Sequence, residues 1–178
     1  MGNSLLVNLS FLIPKATGIS TYANHLFPYL QPLNPTFLTA HPIANSVCYP
    51  VPDNLTPEKG TRGHLNRLIW TQLKLPQIYH KLKASLLFSP IPEAPLHTNC
   101  RSVVMVHDLI PVRFPKWNSP LTIYFRHYIP QVLNQAEHII CNSQATARDI
   151  TDFYGIPAEK ITPILLAYEA NHFRKLDL

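Results

Sequence analysis

Ser102-Val103-Val104-Met105-Val106-His107-Asp108 sets a short apolar run directly against an imidazole and a carboxylate. Four consecutive apolar residues, three of them β-branched valines, suit a strand buried on both faces of a parallel sheet. In an open parallel sheet ligands bind beyond the carboxyl ends of the strands. The stretch therefore predicts a core strand whose end presents His107 and Asp108 at a functional edge.

Outward from this strand the same grammar repeats. Ser85 to Phe88 reads as a preceding strand, separated from it by a proline-rich loop over Pro90 to Pro95. Tyr124 to Gln135 reads as a helix, Ile139 to Cys141 as a strand, Gln144 to Tyr154 as a helix, and Ile161 to Leu166 as a last strand. Toward the amino terminus, Leu5 to Phe11 reads as a buried strand and Ser20 to Leu30 as a helix with Ser20 or Thr21 as its N-cap. Thr36 to Ala40 and Val47 to Tyr49 are short strand candidates, and Gly63 to Leu82 carries apolar residues at helical intervals interrupted by Pro76. Strands alternating with helices predict an α/β fold, a Rossmann-like doubly wound parallel sheet.

The 178 residues supply one domain with its own core. Hydrophobic residues make up 46% and charged residues 14% of the chain, which excludes a disordered tail. No apolar run approaches the roughly 20 residues of a transmembrane helix, and Met1 to Ser4 lacks the basic region of a secretory signal. The expected location is the cytoplasm, with the inner face of the membrane left open by the +5 formal charge. Arg62, Arg67, Lys74, Lys81 and Lys83 form the densest basic stretch, and their helical spacing predicts a solvated face rather than a nucleic-acid site. Cys48, Cys100 and Cys141 are odd in number and widely spaced, which predicts free thiols with no disulfide and no zinc.

Four positions at predicted strand ends draw functional weight. Thr17-Gly18-Ile19-Ser20 is a glycine turn into a helix, whose free N–H groups favour an anion. A plain tight turn reads equally well there. His107-Asp108 joins a hydrogen-bonding imidazole to a carboxylate that could orient it. Asn142-Ser143 stands between a strand and a helix, where Ser143 also serves as an N-cap. Glu169-Ala170-Asn171 comes after the last strand. The nine histidines show no metal-ligand spacing, and the three-glycine dinucleotide fingerprint, the nucleophile elbow and the Walker loop are absent from the sequence. The missing fingerprint argues against a nucleotide-dependent oxidoreductase.

Taken in order, these segments resemble the N-terminal domain of the retaining, mannosyltransferase-like glycosyltransferases of family 4, which have the GT-B fold. Thr17 to Tyr22 is similar to the family's glycine loop and first helix, and Arg67 to Pro76 to a helix of one bacterial subgroup. Leu87-Phe88-Ser89-Pro90 with Ala94-Pro95 resembles the segment C-terminal to that helix. Val104 to Pro111 with Phe114-Pro115 resembles the subgroup's His-Asp strand end, and Asn142 to Ile150, Tyr154 to Pro157 and Glu159 to Ile161 the region before the interdomain linker. The likeness runs through nearly the whole chain, so residues 1–178 are expected to form the acceptor-side half.

The resemblance implies a nucleotide-sugar donor held mainly by a C-terminal donor domain, a glycan or lipid-linked acceptor on this half, and catalysis between the two. It implies that Gly18, with Thr17 and Ile19, approaches the donor phosphates or the acceptor, and that His107 contacts the transferred sugar, with Asp108, Asn142 and Ser143 near it. No protein nucleophile, metal or other cofactor is implied; the leaving phosphate itself helps deprotonate the acceptor. Thr17 stands where many members carry another glycine, and the glutamate pair seven residues apart that marks the donor half does not occur. The isolated half is therefore expected to be inactive without a donor domain or partner subunit, and to offer an apolar face for a homodimer. The alternative expectation is a stand-alone, non-catalytic module binding a glycan or a protein.

Overall fold

In the computed structural model, residues 4–15 and 17–167 are described. Among the described residues seven strands form one sheet: β1 (Leu5–Asn8), β2 (Thr36–Thr39), β3 (Val47–Pro50), β4 (Leu86–Ser89), β5 (Ser102–Val106), β6 (His138–Cys141) and β7 (Ile161–Pro163). Their order is β3-β2-β1-β4-β5-β6-β7, and every neighbouring pair is parallel. The order reverses between β1 and β4, so the topological switch point lies there and its crevice opens at the carboxyl edge. The predicted doubly wound sheet is thus the fold.

The helices are α1 (Gly18–Leu30), α2 (Gly60–Leu73), α3 (Leu75–Lys81), α4 (Ile110–Arg113), α5 (Pro120–His127), α6 (Ile129–Gln135) and α7 (Gln144–Tyr154). Side chains alternate across the strands, so each face of the sheet has its own core. On one face Val7, Leu9, Phe37 and Phe88 pack against Ala23 and Phe27 of α1. On the other, Leu6, Leu87, Val104 and Ile139 meet Trp70, Leu75, Leu133 and Ile150 from α2, α3, α6 and α7. Gly63 of α2 is dictated by close approach, since a Cβ there would stand 2.1 Å from the Thr56 carbonyl oxygen. Gly155 ends α7 at φ +66°, where a side chain would be strained.

Several boundaries differ from the sequence reading for local reasons. β1 stops at Asn8 rather than Phe11, because Asn8 Oδ1 accepts the Ser10 N–H (3.2 Å) and turns the chain. The helix expected over Tyr124 to Gln135 starts earlier, at Pro120, and is split at Tyr128: Pro130 has no N–H to continue the ladder. α2 and α3 separate just before Pro76 for the same reason. β7 is shorter than Ile161 to Leu166. Glu169, Ala170 and Asn171 lie outside the described residues.

Arg67 departs most from expectation. The sequence placed it on a solvated basic face, yet it is 7% exposed. Its Nε and Nη2 donate to the two oxygens of Glu93, each at 2.8 Å, and Nη1 donates to the Leu55 carbonyl at 3.1 Å. A buried partner carboxylate accounts for a position that helical periodicity assigns to solvent.

Burial sets the expected stability effects. Ile139→Ala removes a fully buried β6 side chain and is expected to cost about 2–5 kcal/mol. Leu65→Ala, at a half-exposed site on α2, is expected to stay within about 0.5 kcal/mol. Urea denaturation monitored by circular dichroism measures both, and equal losses would contradict this packing.

Candidate active site

Three of the four predicted positions converge at the carboxyl edge of the sheet. The chain leaving β1 enters α1 at residues 17–20, β5 delivers His107 and Asp108, and β6 delivers Asn142 and Ser143. The first lies at the switch point, and the other two follow the next strands on its β4 side.

α1 begins a turn earlier than the sequence predicts, with Thr17 rather than Ser20 or Thr21 as N-cap. Thr17 Oγ1 accepts the Ser20 N–H (3.2 Å), and Ser20 Oγ accepts the Thr17 N–H (2.7 Å), closing a capping box. The Thr17 carbonyl takes the Thr21 N–H at 2.8 Å. Of the first four N–H groups of the helix, those of Gly18 and Ile19 have no acceptor among the described residues. A Cβ added at Gly18 would meet nothing within 4 Å, and the backbone there is not left-handed. The fold therefore does not require glycine at this position, and a side chain there would extend into open space. A shallow cavity of about 150 Å³ adjoins it, lined by Phe11, Ile13, Thr17, Ile19 and Ile91, with Arg67 at its wall.

His107 is half-buried at the end of β5. Its Nε2 lies 2.9 Å from the Pro90 carbonyl oxygen, which can only accept, so Nε2 carries the proton. In the neutral ring Nδ1 is then the acceptor, and no group among the described residues bonds to it. Tyr22 of α1 packs edge-on against the imidazole, with ring centroids 5.0 Å apart. This contact joins the start of α1 to the end of β5. Burial lowers the His107 pKa below its ordinary value, against the smaller raising effects of the Pro90 carbonyl and Asp108.

Asp108 does not orient His107. Its Oδ1 accepts the N–H of Ile110 (3.0 Å), the first residue of α4, a helix the sequence did not announce, while Pro90 takes the orienting role expected of Asp108. Ser143 is the N-cap of α7, accepting the Thr146 N–H at 3.0 Å. Its hydroxyl lies 2.9 Å from Thr146 Oγ1, which in turn reaches the His107 carbonyl at 3.3 Å. Asn142 lies beside it with Oδ1 3.4 Å from Thr146 Oγ1. Asn142 and Ser143 thereby brace the strand end that carries His107.

Tyr22, Pro90, Arg67 and Glu93 were not marked by the sequence as site residues. The detectable signal was an acid, Glu93, set among Ile91, Pro92, Ala94 and Pro95, where an ionised group demands a buried partner. Also at this edge, Asn8 Nδ2, Ser10 Oγ and Ser89 Oγ are buried without partners among the described residues. Among those residues no three His, Cys, Asp or Glu side chains converge as a metal-binding group.

The profile of Glycosyltransferase Family 4 matches residues 17–166, from the α1 cap to just past β7. The chain belongs to glycosyltransferase family 4. A similar solved structure is that of a glycosyltransferase from Rickettsia africae ESF-5, with a TM-score of 0.53 at 14% identity. The match covers 91% of this family 4 chain and 42% of that protein, so the chain spans less than half of its length. That likeness concerns the fold. No curated protein matches the chain.

Two histidines make stability depend on pH. Burial lowers the pKa of His64 as well as that of His107. In the window between their folded values and 6.5, the unfolded chain binds more protons than the folded one. Stability therefore falls as pH drops through that window, and the loss is complete below the folded values. Urea midpoints measured between pH 7.5 and 5 should show this decline, and His64→Gln combined with His107→Gln should flatten it. An unchanged slope in the double variant would contradict neutral burial of the two rings.

Proposed function

We propose that this chain is the acceptor-side half of a retaining GT-B glycosyltransferase, moving a sugar from a nucleotide-sugar donor to a lipid-linked or glycan acceptor. The supporting observation is the joint placement of open Gly18 and half-buried His107 at one sheet edge, bridged by Tyr22. Donor phosphates suit the free Gly18 and Ile19 N–H groups and the positive end of α1. A hydroxyl of the transferred sugar suits His107 Nδ1, a fixed acceptor in the neutral ring. Asp108, Asn142 and Ser143 support this edge through α4 and α7.

In this reading His107 binds and orients, and the leaving phosphate takes the acceptor proton without a metal. The remainder of the donor site belongs to a complementary domain or subunit, so this half alone does not turn over. A homodimer of the isolated half would form through the surface that this partner covers. Between the acceptor classes, the surface around α4 and α5 favours the lipid-linked one. Phe114, Trp117 and Leu121 are exposed there, Trp117 at 87%, with Lys116 and Arg126 beside them. No acidic residue occurs from Leu109 to Ala136. Such a surface suits an amphiphilic anionic acceptor at the cytoplasmic face of a membrane. No helix among the described residues is long and apolar enough to cross that membrane.

The test joins this chain to its complementary half and measures nucleotide diphosphate release across a panel of nucleotide sugars, with product anomers assigned by NMR. His107→Ala is expected to lower kcat by about 10²-fold or more, on the scale of losing one well-placed polar contact to the reacting sugar. Gly18→Leu should raise KM for the donor while leaving the unfolding free energy from urea denaturation within about 0.5 kcal/mol, because its site is open. Full activity in both variants, or no turnover with any nucleotide sugar, would overturn the proposal. Binding of a glycan or protein without turnover would instead support a non-catalytic module.

A further inference from the structure

We infer that the buried Arg67–Glu93 ion pair is a positioning device for His107, acting through the loop after β4 and the Pro90 carbonyl. The inference rests on the reading that His107 faces the transferred sugar, but the mechanical link is independent of any ligand.

The loop from Pro90 to Leu96 contains prolines at 90, 92 and 95, each of which removes an N–H from the backbone. Such a loop has few means of holding itself, and side chains from three helices hold it instead. Glu93, 1% exposed, takes both arms of Arg67 from α2 and the hydroxyl of Tyr124 from α5 (3.0 Å). The Ala94 carbonyl accepts from Gln72 Nε2 at 3.2 Å and from the Tyr128 hydroxyl at 2.9 Å. The Pro95 carbonyl accepts from Gln135 Nε2 at 3.0 Å. Between Glu93 and Pro90 the chain makes a tight turn, with the Glu93 N–H on the Ile91 carbonyl at 2.8 Å. The Pro90 carbonyl is thus fixed next to that turn, and it is the atom that holds His107 Nε2–H.

The charge arrangement is specific to this pair. His64 Nδ1 lies 2.9 Å from Arg67 Nη2, a donor, so His64 presents a lone pair, and its protonation would add a second cation beside Arg67. Burial holds Tyr124 and Tyr128 well above the usual phenol range, so both remain neutral donors beside Glu93 and Ala94. Glu93 is therefore the lone anion facing Arg67 from α2, α5 and the loop. A bidentate fork fixes both the distance and the plane of its carboxylate. Water alone would satisfy a surface pair; here the pair locates a proline loop to which little else is bonded on the His107 side.

The experiment reads the imidazole N–H of His107 in the complete, ligand-free chain by proton–nitrogen NMR. In the parent protein this proton is expected to exchange slowly with solvent, and the ring to titrate below 6.5. Glu93→Gln keeps the shape but removes the charge. It should speed His107 N–H exchange by at least tenfold and move the titration up toward 6.5, as the loosened loop admits water. Tyr124→Phe, which deletes one hydroxyl from Glu93, should act in the same direction and more weakly; it carries the test if Glu93→Gln does not fold. Glu137→Gln breaks the exposed Arg101–Glu137 pair at the other sheet edge and should change neither quantity. Unaltered His107 exchange and titration in folded Glu93→Gln, or in Tyr124→Phe when the former is unfolded, would overturn the inference. So would an equal change in Glu137→Gln. The contact between His107 and sugar is judged separately by the His107→Ala turnover assay, so failure of one does not imitate failure of the other.

Discussion

The Arg67–Glu93 pair is the interaction on which the arrangement of the site depends. Burying two opposite charges costs several kcal/mol each in lost hydration, and their attraction offsets this only when geometry and further hydrogen bonds are good. Here both conditions hold: two 2.8 Å bonds join the fork to the carboxylate, with Leu55, His64 and Tyr124 completing the set. Such a pair adds little net stability over an apolar replacement, yet breaking one side of it is expensive, of order 3–5 kcal/mol. Its consequence is geometric. It ties α2 and α5 to the loop after β4, at the switch point of the sheet.

From that loop the rest of the edge is built. Pro90 fixes the protonated nitrogen of His107 and so decides that Nδ1 is the ring's free acceptor. Tyr22 sets the ring against α1, whose own start is fixed by the Thr17–Ser20 capping box. Thr146 ties the His107 carbonyl to α7. A second ion pair, Arg113 with Asp149, joins α4 to α7. The imidazole is therefore held by the loop after β4 and by α1, and its backbone by α7, while the space before Gly18 is left open. A polar group held in place beside an open helix start is the pre-organisation that the proposed sugar transfer would use.

Much of the fold was legible because strand burial leaves a strong signature. The β5 run matched its strand residue for residue, and α7 matched its helix, with Ser143 before it and Gly155 after it as caps. Where one residue carried two messages, the reading shifted. Ser20 has the composition of an N-cap but serves as the third helical residue of a capping box, so α1 was placed late. Pro130 stands in a segment with helical periodicity throughout, which hides the break at Tyr128. The placement of His107 and Gly18 at the carboxyl edge was legible from their position after strands. Arg67 and Glu93 were not, because their partnership spans 26 residues and periodicity sees only the near neighbourhood. Glu169 and its neighbours fall outside the described residues.

The most direct measurement is a crystal structure of this chain joined to its complementary half, with an unreactive nucleotide-sugar analogue bound. The expected result has the analogue's phosphates at the Gly18 and Ile19 N–H groups and a sugar hydroxyl on His107 Nδ1, with Nε2 still on the Pro90 carbonyl. An analogue seated away from the β1, β4 and β5 strand ends, with His107 facing empty solvent, would contradict the assignment of this edge to sugar transfer.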